Sequence, residues 1–254
     1  ADLKAALRKD TILVSIMAVN NEVGAIQPLK EIAAILDDYP RVHFHVDAVQ
    51  ALGKGLGELL SLDRIDFLTF SGHKFHAPRG IGFIYAKAGR KLAALMAGGG
   101  QEQNQRSGTE NLPAIAAMAK AIRLLLTDEE AKVAKQQAVR KMIYDHLAKF
   151  DKVTIFSQLT PNFAPHILCF TIDGVRGETI VHAFEEFGIY ISTTSACSSK
   201  KGTISGTLAA MKIPEKIATS AVRISLDEAN NDKEAAEFIK AFDILYKRFA
   251  KINS

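Results

Sequence analysis

Residues 11–22 read TILVSIMAVNNE, and the change of character inside that stretch decides the fold. The first nine residues form an unbroken apolar run of strand length, the pattern expected of a strand buried on both faces of a sheet. The run then gives way to Asn20, Asn21 and Glu22. The same succession recurs twice. VHFHV at 42–46 leads into Asp47, with Gln50 three residues on, and IDFLTF at 65–70 leads into Ser71, Gly72, His73 and Lys74. Between the first two runs, Pro28 opens PLKEIAAILDDY, with apolar residues at helical spacing and proline in the first turn. ADLKAALRKD reads as a helix ahead of the first run, and GIGFIYAK at 80–87 as one more strand. Strand alternating with helix predicts an α/β domain with a largely parallel sheet. In open sheets of that kind, ligands bind beyond the carboxyl ends of the strands, where these polar clusters fall.

Further along, a helical pattern runs from Pro113 through AIAAMAKAIRLLL. TDEE at 127–130 has the form of a capping box for a second long helix reaching Phe150. HILCFTI (166–172) and GIYIS (188–192) read as strands, with RGETIVHAFEEFG as the helix between them. The closing DKEAAEFIKAFDILYKRFAKI is an amphipathic helix. Two domains are expected, 1–127 and 128–254, and no internal repeat or low-complexity segment interrupts them.

Composition narrows the function classes. With 48% hydrophobic residues in 254, the chain can bury a real core. Its net charge of +4 is mild, and lysines and arginines are spread out, so no direct nucleic-acid partner is expected. No apolar run approaches bilayer length and no signal-peptide pattern is read, so no membrane partner is expected. Two cysteines make no disulfide framework, and no Cys/His spacing suits zinc. A reducing, cytoplasmic setting and no metal follow as expectations. The glycines at 98–100 lack a following GK[ST], which argues against a nucleotide P-loop.

The chemistry of the clusters is more specific. A lysine at a strand end can form a Schiff base with an aldehyde when its surroundings hold its pKa down. An aspartate facing a pyridine nitrogen keeps that nitrogen protonated and makes the ring an electron sink. Ser71 and His73 could donate to a phosphate. Taken singly, Asp47 reads as a strand-end cap, His73 as a turn residue and Lys74 as a solvated side chain; their joint occurrence points to a site. The two cysteines differ in kind. Cys169 sits inside HILCFTI and reads as inert packing. Cys197 lies in STTSACSSK (192–200), among hydroxyl side chains and ahead of Lys200 and Lys201. A free thiol titrates near ~8.5, so its nucleophilicity would draw on nearby positive charge.

HVDAVQALGK, SGHKFHAPRGIGFIY, GGGQEQNQRSGTEN, SACSS and SAVRISL, in this order, resemble the cysteine desulfurases. These form part of the class V branch of fold-type I enzymes that use pyridoxal 5'-phosphate (PLP). The resemblance implies a mostly parallel sheet with helices on both faces plus a smaller C-terminal α/β domain. Residues 1–127 would be the C-terminal part of the large PLP-binding domain, and 128–254 the small domain with the catalytic cysteine loop. It also implies roles. Lys74 would carry the PLP, with Ser71 and His73 on its phosphate. Asp47 would pair with the pyridine nitrogen and Gln50 with the ring hydroxyl. Asn21 would lie near the cofactor and the substrate carboxylate, which Arg223 would hold with its planar fork of donors. Thr109 would reach the phosphate of a neighbouring subunit, so a homodimer is implied.

The implied reaction converts L-cysteine to L-alanine and leaves a persulfide on Cys197. Its sulfur would pass to an acceptor protein, an iron–sulfur scaffold or a tRNA-thiolating enzyme. The same scaffold serves selenocysteine lyases and class V aminotransferases, the latter with no need of Cys197. A non-catalytic sulfur-relay or partner-binding module is a further alternative. Family members carry, ahead of these motifs, a Gly-Thr phosphate-binding turn and a histidine that stacks on the PLP ring. Neither is found in this sequence, so the chain is expected to be the C-terminal part of a longer protein.

Overall fold

The computed structural model describes residues 2–194 and 205–252. The chain divides into two compact units, Ala1–Ala18 with Gln27–Glu129, and Val19–Ile26 with Glu130–Ser254. A simple cut between 127 and 128 misses the short Val19–Ile26 segment, which counts with the second unit although its sequence neighbours belong to the first.

The first unit runs α1 (Asp2–Ala6), β1 (Leu13–Met17), α2 (Leu29–Asp37), β2 (His43–Asp47), α3 (Gly57–Leu60), β3 (Phe67–Ser71), β4 (Gly82–Ala86), α4 (Gln101–Asn104) and α5 (Leu112–Leu126). Its sheet has the order β1-β2-β3-β4, with the first three strands parallel and β4 antiparallel to β3. The parallel step from β1 to β2 passes through α2, whose Leu29, Ile32, Ala33 and Leu36 form one buried stripe. On one face of the sheet, Val14, Phe44, Val46, Leu68 and Phe70 are all buried. The other face behaves differently. Leu13 is 52% and Met17 40% exposed, so the first strand is not buried on both faces as its apolar run predicts. An apolar run reports only that side chains can be buried; what covers each face is decided by neighbours far away in sequence.

One buried carboxylate ties this unit together. Asp66, 1% exposed, accepts hydrogen bonds from Phe44 N at 2.8 Å, Arg64 Nη1 at 3.2 Å and Arg90 Nε at 2.7 Å. Burial pushes its carboxyl up, but the Phe44 N–H and the two guanidinium groups outweigh that and leave it below the usual carboxylate range.

The second unit contains α6 (Glu129–Leu147), β5 (Val153–Ile155), β6 (Ile167–Ile172), α7 (Gly177–Glu185), β7 (Ser192–Thr193), α8 (Gly206–Ala210), α9 (Glu215–Ala218), β8 (Val222–Ser225) and α10 (Asp232–Ile252). Its sheet is antiparallel throughout, in the order β5-β6-β8-β7. Every residue of β6 is buried. Leu168, Phe170 and Ile172 enter a core with Val139, Ile143 and Leu147 of α6, Ile180 and Phe184 of α7, and Phe238, Phe242 and Leu245 of α10. Aromatic contacts organise it: Phe184 stacks on Phe238 at 4.9 Å, and Phe150 meets Phe242 edge-on at 5.0 Å. On the other side of β6, Cys169 joins a smaller cluster of Val23, Phe156, Leu208, Ala218 and Ala221.

Two local expectations change. Only Ser192 and Thr193 of the GIYIS region form a strand, and Tyr190 is 82% exposed. Thr127 does not box the start of α6: its Oγ1 donates to Arg123 O at 2.8 Å and so closes α5, while Asp128 takes a positive φ of 54°. Among the described residues, no helix is long and apolar enough to cross a membrane, and no cluster of His, Cys, Asp or Glu is suited to a metal ion.

Candidate active site

In the first unit, Asp47 ends β2 and Ser71 ends β3. These are neighbouring parallel strands in which Asp47 stands beside Thr69, so both polar ends open at the same edge of the sheet. A single 3-10 turn, Gly72–Lys74, follows β3. It is closed by Gly72 N donating to Ile81 O at 2.9 Å and by Gly72 O accepting from Phe75 N and Ala77 N, both at 3.0 Å. A Cβ on Gly72 would stand 2.8 Å from Ile81 O, which only glycine avoids. Phe75, just after the turn, is buried, while His73 and Lys74 are exposed.

Across the edge, Asp47 is half-buried and one of its oxygens accepts from Val49 N at 3.0 Å, shaping the turn in which half-buried Gln50 sits. Two residues before Asp47, on the same face, His45 spans three strands. Its Nδ1 lies 2.7 Å from Ser15 Oγ and its Nε2 3.0 Å from Thr69 Oγ1. Burial pulls the imidazole pKa down, with the Asp47 carboxylate opposing. In the sequence His45 reads as a strand residue with no assigned role; its alternation with apolar residues in VHFHV is the local signal for it. Thr109 is exposed and lies after α4, where Glu102, Gln103 and Asn104 take positive φ values of 50°, 56° and 65°.

Asn21 is grouped with the second unit, apart from the other strand-end clusters. There Asn20 Oδ1 accepts from Glu22 N and Val23 N, both at 2.9 Å, and Asn20 N donates to Ala25 O at 2.8 Å, closing a tight turn. Arg223 of β8 donates from Nη1 to Asn21 O at 2.8 Å and from Nε to Ser225 Oγ at 3.1 Å. The two residues expected at a substrate carboxylate thus meet, 202 positions apart in sequence.

Cys197 lies outside the described residues; the chain is described up to Thr194 and again from Ser205, both buried. Cys169 is fully buried, and burial, aided by the Glu22 carboxylate against the opposing Arg223, pushes its thiol up to about 12. Such a thiol stays protonated at neutral pH and is no nucleophile.

Residues 1–238 match the family described as aminotransferase class-V. The chain belongs to this family. It is 62% identical, over 99% of its length, to the NifS/IcsS protein homolog of Lactobacillus delbrueckii subsp. bulgaricus. It is 37% identical, over 89% of its length, to cysteine desulfurase IscS of Dictyoglomus turgidum. Among solved structures, it resembles a NifS-like protein from Rickettsia africae with a TM-score of 0.84 at 30% identity, covering 97% of this chain and 65% of that one. The chain spans 66% and 57% of the length of the two curated relatives. The architecture is that of the fold-type I enzymes, and class-V family members depend on PLP. The donor set of the first unit fits that group. Lys74 offers a primary amine to an aldehyde, Ser71 and His73 a hydroxyl and an imidazole to a phosphate, and Asp47 a carboxylate to a pyridinium nitrogen.

Proposed function

We propose that the protein is a cysteine desulfurase, converting L-cysteine to L-alanine and collecting the sulfur as a persulfide on Cys197. The observation that carries this reading is the Asp47 and Ser71–His73–Lys74 constellation at one sheet edge, in a chain whose relatives include proteins named cysteine desulfurase. A related structure, SspA, is described in complex with cysteine, which supports the substrate.

The residues divide the work. Lys74 Nζ would hold PLP and would serve as the base that takes the substrate's α-proton. Asp47 would keep the ring nitrogen protonated, Gln50 would bond the ring hydroxyl, and Ser71 and His73 would hold the phosphate. When bound, PLP supplies an electron sink for the charge that develops on the substrate. Asn21 and Arg223 hold the substrate carboxylate; Arg223 is already oriented by its bonds to Asn21 O and Ser225. The Cys197 thiolate attacks the substrate sulfur. An S–S bond forms as the substrate's C–S bond breaks and the electron pair stays on the substrate carbon; protonation of that carbon and return of the α-proton yield alanine.

Thr109, in the RSGT motif that resembles the family's, is exposed and would reach the phosphate held by a neighbouring subunit in a homodimer. The persulfide is handed to a sulfur-acceptor protein, an iron–sulfur scaffold or a tRNA-thiolating enzyme, in the cytoplasm.

The test uses holoprotein reconstituted with PLP. Cys197→Ala is expected to retain bound PLP and to lose sulfide release from cysteine, and Lys74→Ala to lose the absorbance of covalently held cofactor. Full sulfide release by Cys197→Ala, or transamination of cysteine with no persulfide in the wild type, would replace this reading with an aminotransferase. A protein that takes up no PLP would point instead to a non-catalytic relay module.

A further inference from the structure

The turn at residues 20–23 does more than present Asn21. Its two flanking side chains reach across to the start of α8, the first described element after residues 195–204. The Glu22 carboxylate accepts from the Ser205 hydroxyl on one oxygen and from Thr207 Oγ1, at 3.1 Å, on the other. Asn20 Nδ2 donates to Thr207 Oγ1 at 3.2 Å. Ser205 Oγ in turn accepts from Leu208 N at 3.0 Å, capping α8. Ser205 and Asn20 are buried, and Leu208, fully buried, sits with Val23 in the cluster around Cys169.

The turn is itself bolted to β6. Ser157 Oγ donates to Val23 O and accepts from Cys169 N, both at 2.7 Å, with Ser157 fully buried. A carboxylate accepting two hydroxyl protons makes charge-assisted bonds, the stronger kind, and their geometry resists displacement. On its far side, the same turn holds Arg223 through Asn21 O.

We propose that Glu22 is a positioning residue for sulfur transfer: by clamping Ser205 and Thr207, it fixes where the chain carrying Cys197 rejoins the fold, from the same turn that orients Arg223. Ser205 follows Cys197 by only eight positions, so the length of the chain between them limits how far the thiol can stand from this anchor. The inference rests on the proposed role of Cys197. Glu22 touches neither substrate nor cofactor in this scheme; it acts through Ser205.

Two measurements on the PLP-loaded protein separate the clamp from its consequence. Amide hydrogen exchange at Leu208, Ala209 and Ala210 reads the clamp without reference to activity. Single-turnover persulfide formation on Cys197, followed by intact mass, reads the positioning, and titration of the cofactor spectrum with cysteine reads substrate affinity. Glu22→Ala is expected to speed exchange in α8 while leaving β6 amides protected. It should slow persulfide formation roughly tenfold or more, the scale on which small misplacements act, with cysteine affinity unchanged within about twofold. Glu22→Gln, which keeps one acceptor, should recover part of both losses.

Unchanged exchange in α8 would overturn the clamp. Faster exchange with an unchanged persulfide rate would overturn the positioning role and leave a purely structural contact. Wild-type protein that forms no persulfide would instead overturn the proposed function, and the positioning role with it, while the exchange result still judges the clamp. Should Glu22→Ala fail to fold, Thr207→Val removes one of the two hydroxyl donors at nearly constant shape; it is expected to show the same pattern at smaller amplitude, and its absence would count against the proposal.

Discussion

β1 and β6 look alike as strings and unlike as structures. LVSIM and ILCFTI are both apolar runs of strand length, yet β6 is buried at all six residues while β1 alternates, with Leu13 and Met17 exposed and Val14 buried. β6 lies between β5 and β8, with an aromatic core on one face and the Cys169 cluster on the other. β1 is the first strand in its sheet order and carries Ser15 and exposed apolar side chains on one face. The difference teaches that an apolar run licenses burial, and that position in the sheet decides how much of it happens.

The contrast can be broken most directly by truncation. Phe170→Ala should cost about 3–5 kcal/mol in urea unfolding, because transfer and cavity terms add in a filled core. Leu13→Ala, already half in solvent, should cost less than about 1 kcal/mol. Equal losses would show that β1 is covered in solution and would erase the distinction.

The next largest effect sharpens the comparison by asking what stabilises the first unit besides apolar burial. Asp66→Asn should cost about 2–3 kcal/mol, less than a wholly buried ion pair because Arg90 still reaches solvent. Asp66 titrates lower folded than unfolded, so its contribution is complete above the ordinary carboxylate value of about 4 and is lost as pH falls through the folded value. The wild-type melting temperature should therefore drop more steeply than that of Asp66→Asn below that point. Parallel curves would remove the carboxylate from the account.

The smallest expected effect is none at all. At pH 8, iodoacetamide should leave Cys169 unmodified in folded protein, since its thiol is pushed up to about 12 and fully buried. Peptide mapping after a timed exposure checks this, and labelling of Cys169 at a rate comparable to Cys197 would mean that β6 opens readily.

Much of this was legible beforehand. The order of strands and helices in the first unit followed from runs, proline and polar clusters, and β2, β3 and β4 fall within about two residues of their expected places. Asp47, Ser71, His73 and Lys74 were readable because each sits just beyond an apolar run, a local signal. β5 and β8 are not legible in the sequence because three- and four-residue strands carry too little periodicity to register. Glu22 was visible as a polar residue in a cluster, but nothing local told what it would grip: its partner Ser205 lies 183 positions away.

The sequence by itself determined where the longer strands would run, where polar chemistry would stand at their ends, and that one cysteine sits among apolar residues and the other among hydroxyls. Only the tertiary structure decided that β1 keeps one face open, that residues 19–26 pack with the second unit, that Asn21 meets Arg223, and that Glu22 clamps the start of α8. The reason is range. Periodicity and turn chemistry act over a few residues and survive in the linear string, whereas burial of a face and the partner of a side chain depend on which distant segments the folded chain brings alongside.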